Sequence, residues 1–236
     1  MKKSTLFALI VILVLIPATL FLGTRLTGRA HYLTSTLIII ETMLPFFFAF
    51  ETRKPQAREL VTIAVMCALA VASRVVIQIP GFKPILAVIM IAGIALGTEA
   101  GFLTGAVSAF TSNFFFGQGP WTPWQMMAYG IAGFLAGLLF HKKRPFANNP
   151  RLSALALAVY GFFSIVLVVG PLLDVGSVFT MGSTVSWKFA LMVFSAGLVP
   201  NLILACATAV TMLLLSRPLL FKLDRLIRKY GMMEGN

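Results

Sequence analysis

Long stretches of this chain contain almost no charge. One run extends from Leu6 to Leu22, and further apolar segments lie at about 32–50, 59–79, 84–97, 99–116, 125–140, 152–172 and 188–215. A run of about 18 or more apolar residues is long enough to cross a bilayer as a helix. Inside hydrocarbon the backbone must satisfy its own hydrogen bonds, so runs of this length imply helices. A transmembrane barrel would instead show ten-residue segments of alternating polarity. Only 11% of the 236 residues are charged, against roughly 25% in a soluble domain. The expectation is an all-α, polytopic membrane protein with about eight spans. Lys2 and Lys3 precede the first run in the manner of a signal peptide, but no small-residue cleavage site follows and the run is long for a signal core.

Basic residues orient the spans. Lys2, Lys3, Arg53, Lys54, Arg58, Lys142, Lys143, Arg144, Arg151, Arg217, Lys222, Arg225, Arg228 and Lys229 would share one side, fourteen of the 19. Arg25, Arg29, Lys83 and Lys188 would lie opposite, and Arg74 falls within a span. The split is expected to place both termini in the cytoplasm. The net charge of +12 is therefore a topology signal, and no nucleic acid partner is expected. The tail "RPLLFKLDRLIRKYG" reads as a short amphipathic surface helix or a basic anchor.

The polar, Pro-containing break "ETRKPQARE" divides an accessory helical pair, residues 1–55, from a six-helix working unit with its basic tail, residues 56–236. Within that unit, 33 residues run from Pro84 to Phe116, whereas two full crossings need about 40. At least one helix is therefore short, or Glu99 forms a tight turn below the membrane surface. Short or interrupted spans mark binding sites in transporters, although a plain helical hairpin has the same length.

Small residues recur at helical spacing. Ala64, Ala68 and Ala72 line one face of the span "LVTIAVMCALAVASRVVIQIP", and Gly93/Gly97, Gly101/Gly105 and Gly133/Gly137 repeat the pattern. Such faces let helices approach closely in lipid. Internal packing accounts for most of them, while the alanine stripe also suits a partner subunit.

The densest polar stretch is "TSNFFFGQGPWTPWQMMAYG", residues 111–130, which joins two spans on the outer side. It carries Asn113, Gln118, Trp121, Thr122, Trp124 and Gln125, and Gly117, Gly119, Pro120 and Pro123 break the flanking helices. Tryptophans also favour membrane interfaces. Rigid prolines with flanking amides, however, suit a concave site for a flat, partly polar ligand. Arg74, an intramembrane charge, Lys83 in the outer loop and Asn201 after Pro200 complete the candidate substrate-binding set. Asp174 is expected in the outer loop between the last two spans, with Ser177, Thr180 and Ser183.

No catalytic constellation is present: no His stands beside a nucleophile, and there is no HExxH or Walker loop, so no enzyme activity is expected. His31 and His141 are isolated, and Cys67 and Cys206 sit inside apolar runs, so no metal or other cofactor is implied. The alternatives are a stand-alone secondary transporter or channel for a small solute, for which Glu41 and Glu99 are the intramembrane carboxylates, a membrane-embedded enzyme, or a scaffold.

Three segments carry a resemblance: "AVMCALAVASR", the stretch from "GFKPILAVIM" through "NFFFGQGPWTPWQM", and "GLVPNLILACATAV". Together they resemble the substrate-binding S component of energy-coupling factor (ECF) vitamin transporters, over about residues 56–215. The first two spans are additional to that family's six-helix core. The resemblance implies a high-affinity binding subunit that docks on a membrane coupling subunit driven by two ATP-binding subunits. It implies that Ala64, Ala68 and Ala72 meet the coupling subunit, and that Pro80 to Pro84 gate the site. It implies a vitamin or cofactor precursor as substrate, with a cobalamin-related compound suggested by overall similarity.

Overall fold

A computed structural model describes residues 7, 10–16, 18–19, 30–52, 55–77, 79, 82–141, 150–181 and 186–231. The described residues are helical or irregular, without strands. A π-helical segment, Val11–Leu15, precedes α1 (Ala30–Thr52) and α2 (Ala57–Val76). Then come α3 (Ile85–Leu96), α4 (Thr98–Phe116) and α5 (Thr122–Phe140). Helix α6 (Pro150–Ser164) runs through a π-helical stretch, Ile165–Val169, into α7 (Gly170–Met181), and α8 is Trp187–Tyr230.

Four helical stretches are long and apolar enough to span a membrane: Ala57–Val76, Thr122–Phe140, Ser153–Met181 and Trp187–Tyr230. The expected count of eight goes beyond these four. The shortage of residues between Pro84 and Phe116 resolves as a short helix. Helix α3 has 12 residues, about 18 Å of rise, and ends at Gly97, whose φ of 93° lets the chain reverse at once into α4.

Helix α3 is apolar on all sides and buried on all sides, as a helix without a polar face must be. It lies among α2, α4, α5 and α8. Its approach to α4 and α5 is backbone on backbone. A methyl group added at Gly93 would strike the carbonyl oxygen of Gly133, and one at Gly133 would strike that of Gly101. Gly105 stands in the same relation to Tyr129, and Gly137 meets Gly93 and Gly97. Five of the six paired glycines therefore serve close packing, and the sixth, Gly97, serves the turn.

Helix α1 closes against α4, α5 and α7. Phe46 stacks on Phe102 with centroids 4.1 Å apart, and Phe47 meets the same ring edge-on. Ile39 and Met43 share this cluster with Trp124.

Two helices depart from expectation. The span expected to end near 172 continues to Met181, because the π-helical turn absorbs the mismatch at Gly170-Pro171 and Pro171 needs no N–H donor there. Asp174 consequently lies inside α7 and buried, not in an outer loop. The last span does not stop near 215. Helix α8 continues through Pro200 and Pro218 for 44 residues, about 66 Å, roughly twice the hydrocarbon thickness. The basic tail is thus the end of α8, held by Leu220 and Leu223 in the main core and stopped by Gly231 in the left-handed conformation.

Gly133→Ala is expected to destabilise the protein by about 1–3 kcal/mol, since the clash is with backbone that cannot rotate away. A thermal melt in detergent that matches the parent protein would contradict this packing.

Candidate functional site

The C-terminal ends of α2 and α4 and the N-terminal end of α5 converge on one polar network. Arg74, in the last turn of α2, is 6% exposed. Its Nη1 donates to Ser112 Oγ and, at 3.1 Å, to Asn113 Oδ1. Asn113 Nδ2 donates to Gln125 Oε1 at 2.8 Å and to Thr122 Oγ1 at 3.2 Å. Thr122 in turn donates to Gln118 Oε1 at 2.9 Å and accepts from the Gly119 amide. Gln118 Nε2 reaches back to the Phe110 carbonyl at 3.0 Å. A buried guanidinium is tolerated here because neutral acceptors surround it, and no carboxylate among the described residues pairs with it. Its Nε remains without a partner.

The local sequence explains the convergence. Gly117, at φ 100°, ends α4, and Pro123 at the start of α5 needs no amide partner. Thr122 Oγ1 accepts the Gly119 N–H and so closes the turn between them. Gln125, expected at the start of a span, and Trp124, expected in the loop before it, both sit on the first turn of α5.

Two cations meet at one ring beside this network. Arg74 lies over Phe116 at 4.6 Å from its centroid, and Lys83 lies over it at 5.3 Å. Burial lowers the Lys83 pKa, with a further contribution from the Arg74 charge. Phe82, Lys83 and Pro84 are described, whereas Pro80 and Gly81 of the expected gate lie outside the described residues.

The tryptophans diverge. Trp121 is 40% exposed and folds over Gly119. Trp124 is buried, stacks parallel to Phe179 at 5.7 Å and presses on Gly176 of α7. Its indole N–H has no partner. Asn201 stands apart from the Arg74 network and donates to Asp174 Oδ2 at 2.8 Å, between α8 and α7. Gly197 leaves room for that carboxylate, since a methyl there would strike it.

Seven of the eight sequence-expected residues fall into two groups, and the side chain of Trp121 belongs to neither. Arg74, Asn113, Gln118 and Gln125 are hydrogen-bonded together, with Lys83 joined through Phe116. Trp124 and Asn201 both meet α7, Trp124 at Gly176 and Asn201 at Asp174. Ser112, Phe116 and Phe179 belong to these groups without having been singled out, whereas Thr122 and Asp174 stand among the polar residues noted in the sequence but outside the candidate binding set. Ser112 and Thr122 lay inside the polar stretch, but nothing in their spacing distinguished them from helix-surface hydroxyls. Among the described residues no group of three or more His, Cys, Asp or Glu side chains could hold a metal.

Asn113→Leu removes the central amide and leaves Arg74, Gln125 and Thr122 short of partners. A loss of about 1–3 kcal/mol of stability is expected, read as a lower melting temperature in detergent.

The chain was compared with known proteins. The family model for the ECF-type riboflavin transporter S component matches residues 54–220. No curated protein and no solved structure matches the chain. The match spans the glycine-packed helices, the Arg74 network and most of α8, so this chain belongs to the family of S components of ECF-type riboflavin transporters.

Proposed function

We propose that the outer ends of α2, α4, α5 and α7 bind a flat, partly polar vitamin for uptake. S components are substrate-binding subunits that work with ECF membrane and ATPase modules. The observation that carries the reading is a pair of buried donors without acceptors, Arg74 Nε and Trp124 Nε1, at the ends of helices joined by an amide network. Buried donors are rarely left unpaired, and a ligand with ring nitrogens or carbonyls supplies acceptors. Trp124 and Phe179, already stacked, offer aromatic area beside them. This chemistry suits a heteroaromatic ring system such as riboflavin, the vitamin in the family's name. A cobalamin-related compound or precursor is the second candidate, resting on overall sequence similarity.

Arg74, Lys83, Asn113, Gln118, Trp121, Trp124, Gln125 and Asn201 are the proposed binding residues. Ala64, Ala68 and Ala72 are the proposed docking residues for the coupling subunit. All three alanines are exposed, in line with Val61, Val65 and Leu69 on the outer face of α2. A smooth apolar face suits a helix that must engage and release a membrane partner. We assign both termini to the cytoplasmic side of a prokaryotic plasma membrane, with two ATP-binding subunits supplying the energy.

Purified protein titrated with riboflavin, thiamine, biotin and cobalamin separates the candidates. Riboflavin is expected to bind with Kd below about 1 μM, near −8 kcal/mol. Trp121→Ala and Trp124→Ala are each expected to weaken binding at least tenfold, about 1.4 kcal/mol; unchanged affinity would remove this site. In reconstituted uptake, Ala68→Leu is expected to preserve binding and reduce transport about tenfold. Loss of binding in correctly folded protein would contradict a docking role, and flux without ATPases would indicate a transporter acting alone.

A further inference from the structure

At the opposite end of the molecule from the polar network, the foot of α2 and the end of α8 enclose an apolar groove of about 430 Å³. Its walls are Val61, Val65 and Met66 from α2, and Leu223, Leu226 and Tyr230 from α8. The last three recur at i, i+3 and i+7, and so form one stripe of the helix. Arg58 stands at its rim, donating to the Tyr230 carbonyl at 3.5 Å and lying over the Tyr230 ring at 5.3 Å.

Most of the exposed charge around the groove is positive, and Glu59 at the foot of α2 is buried. Lys222 and Lys229 stand four residues before and three after Leu226, on the flank of the stripe away from the core, and Arg225 adjoins it. Lys229 also lies over the Tyr230 ring, at 5.3 Å. The one carboxylate in this stretch, Asp224, is taken by Arg228 at 2.9 Å. Lys222, Arg225 and Lys229, all exposed, make no ion pair with a described residue.

We infer that this groove binds an anionic phospholipid, an acyl chain against Val61, Val65 and Leu226 and the phosphate among Arg58, Lys222 and Lys229. Three observations favour that occupant. The groove opens at the first turns of a membrane-spanning helix, the level at which chains meet headgroups. Its walls are apolar while its rim is cationic, the order of polarity found along a phospholipid. Clustered Lys and Arg next to a transmembrane helix attract anionic headgroups. A partner helix with a purely apolar face would fill the walls and leave the cations without a counter-charge. The inference stands apart from the outer substrate site and requires only that the chain reside in a membrane.

The test is native mass spectrometry of the delipidated full chain in detergent, titrated with phosphatidylglycerol or phosphatidylcholine of the same chain length. One phosphatidylglycerol is expected to be retained about tenfold more tightly than phosphatidylcholine. Arg58→Gln combined with Lys229→Gln is expected to lower its retention about tenfold, and Val65→Trp, at an exposed position, to displace it by filling the groove. Lys188→Gln, near the start of α8, should change nothing, and thermal melts confirm that each variant is folded. Equal retention of the two lipids, or unchanged retention in both groove variants, overturns the inference. So does a result in which those variants keep the lipid but lose binding of the coupling subunit, which would give the groove to a protein.

Discussion

The contact on which the rest of the molecule depends is the meeting of α3, α4 and α5 through Gly93, Gly101, Gly105 and Gly133. In lipid no water is expelled when apolar helices join, so attraction must come from close van der Waals contact. Glycines bring the backbones of the three helices into direct contact. Because α3 is short and enclosed, it provides a rigid centre around which α2 and α8 pack. Their outer faces are left exposed for lipid or a partner.

That centre also positions the polar network. The ends of α4 and α5 are held a few ångströms apart, so Asn113 on one reaches Gln125 and Thr122 on the other, and Arg74 reaches both Ser112 and Asn113 from α2. Arg74, Ser112, Asn113 and Thr122 are buried, Gln125 is half-buried, and the arginine's partners are neutral, so the network specifies one arrangement of three helix ends. The opposite flank of α2 carries the exposed alanines. One helix therefore bears the arginine of the polar network and the face proposed for docking. Beneath them, at its foot, lies the groove shared with α8.

The legible part of this protein was the part governed by solvent. Apolar run lengths announced membrane helices, and the residue shortage between Pro84 and Phe116 announced a short one. The glycine pairs announced close packing, which five of the six provide, while Gly97 makes the turn. The polar stretch at 111–130 pointed to Asn113 and Gln125, which hydrogen-bond, and to Gln118, which joins them through Thr122. Ser112 was not legible, since a serine in a helix most often bonds its own backbone, as this one also does to Ala109. Asp174 was misplaced because Gly-Pro reads as a helix end, and the π-helical turn that carries the chain through it has no sequence signature.

The sequence by itself determined the solvent, the helical class, the family and the residue types available to the polar network, because these follow from composition and local spacing along one helix at a time. Only the tertiary structure decided which side chains share a network. It separated Trp121 from Trp124 and joined Asn201 to Asp174. It also laid the basic end of α8 alongside α2 to form a groove. Those outcomes depend on the rotation of each helix about its own axis and on its depth relative to its neighbours, and both are set by packing between elements far apart in the chain.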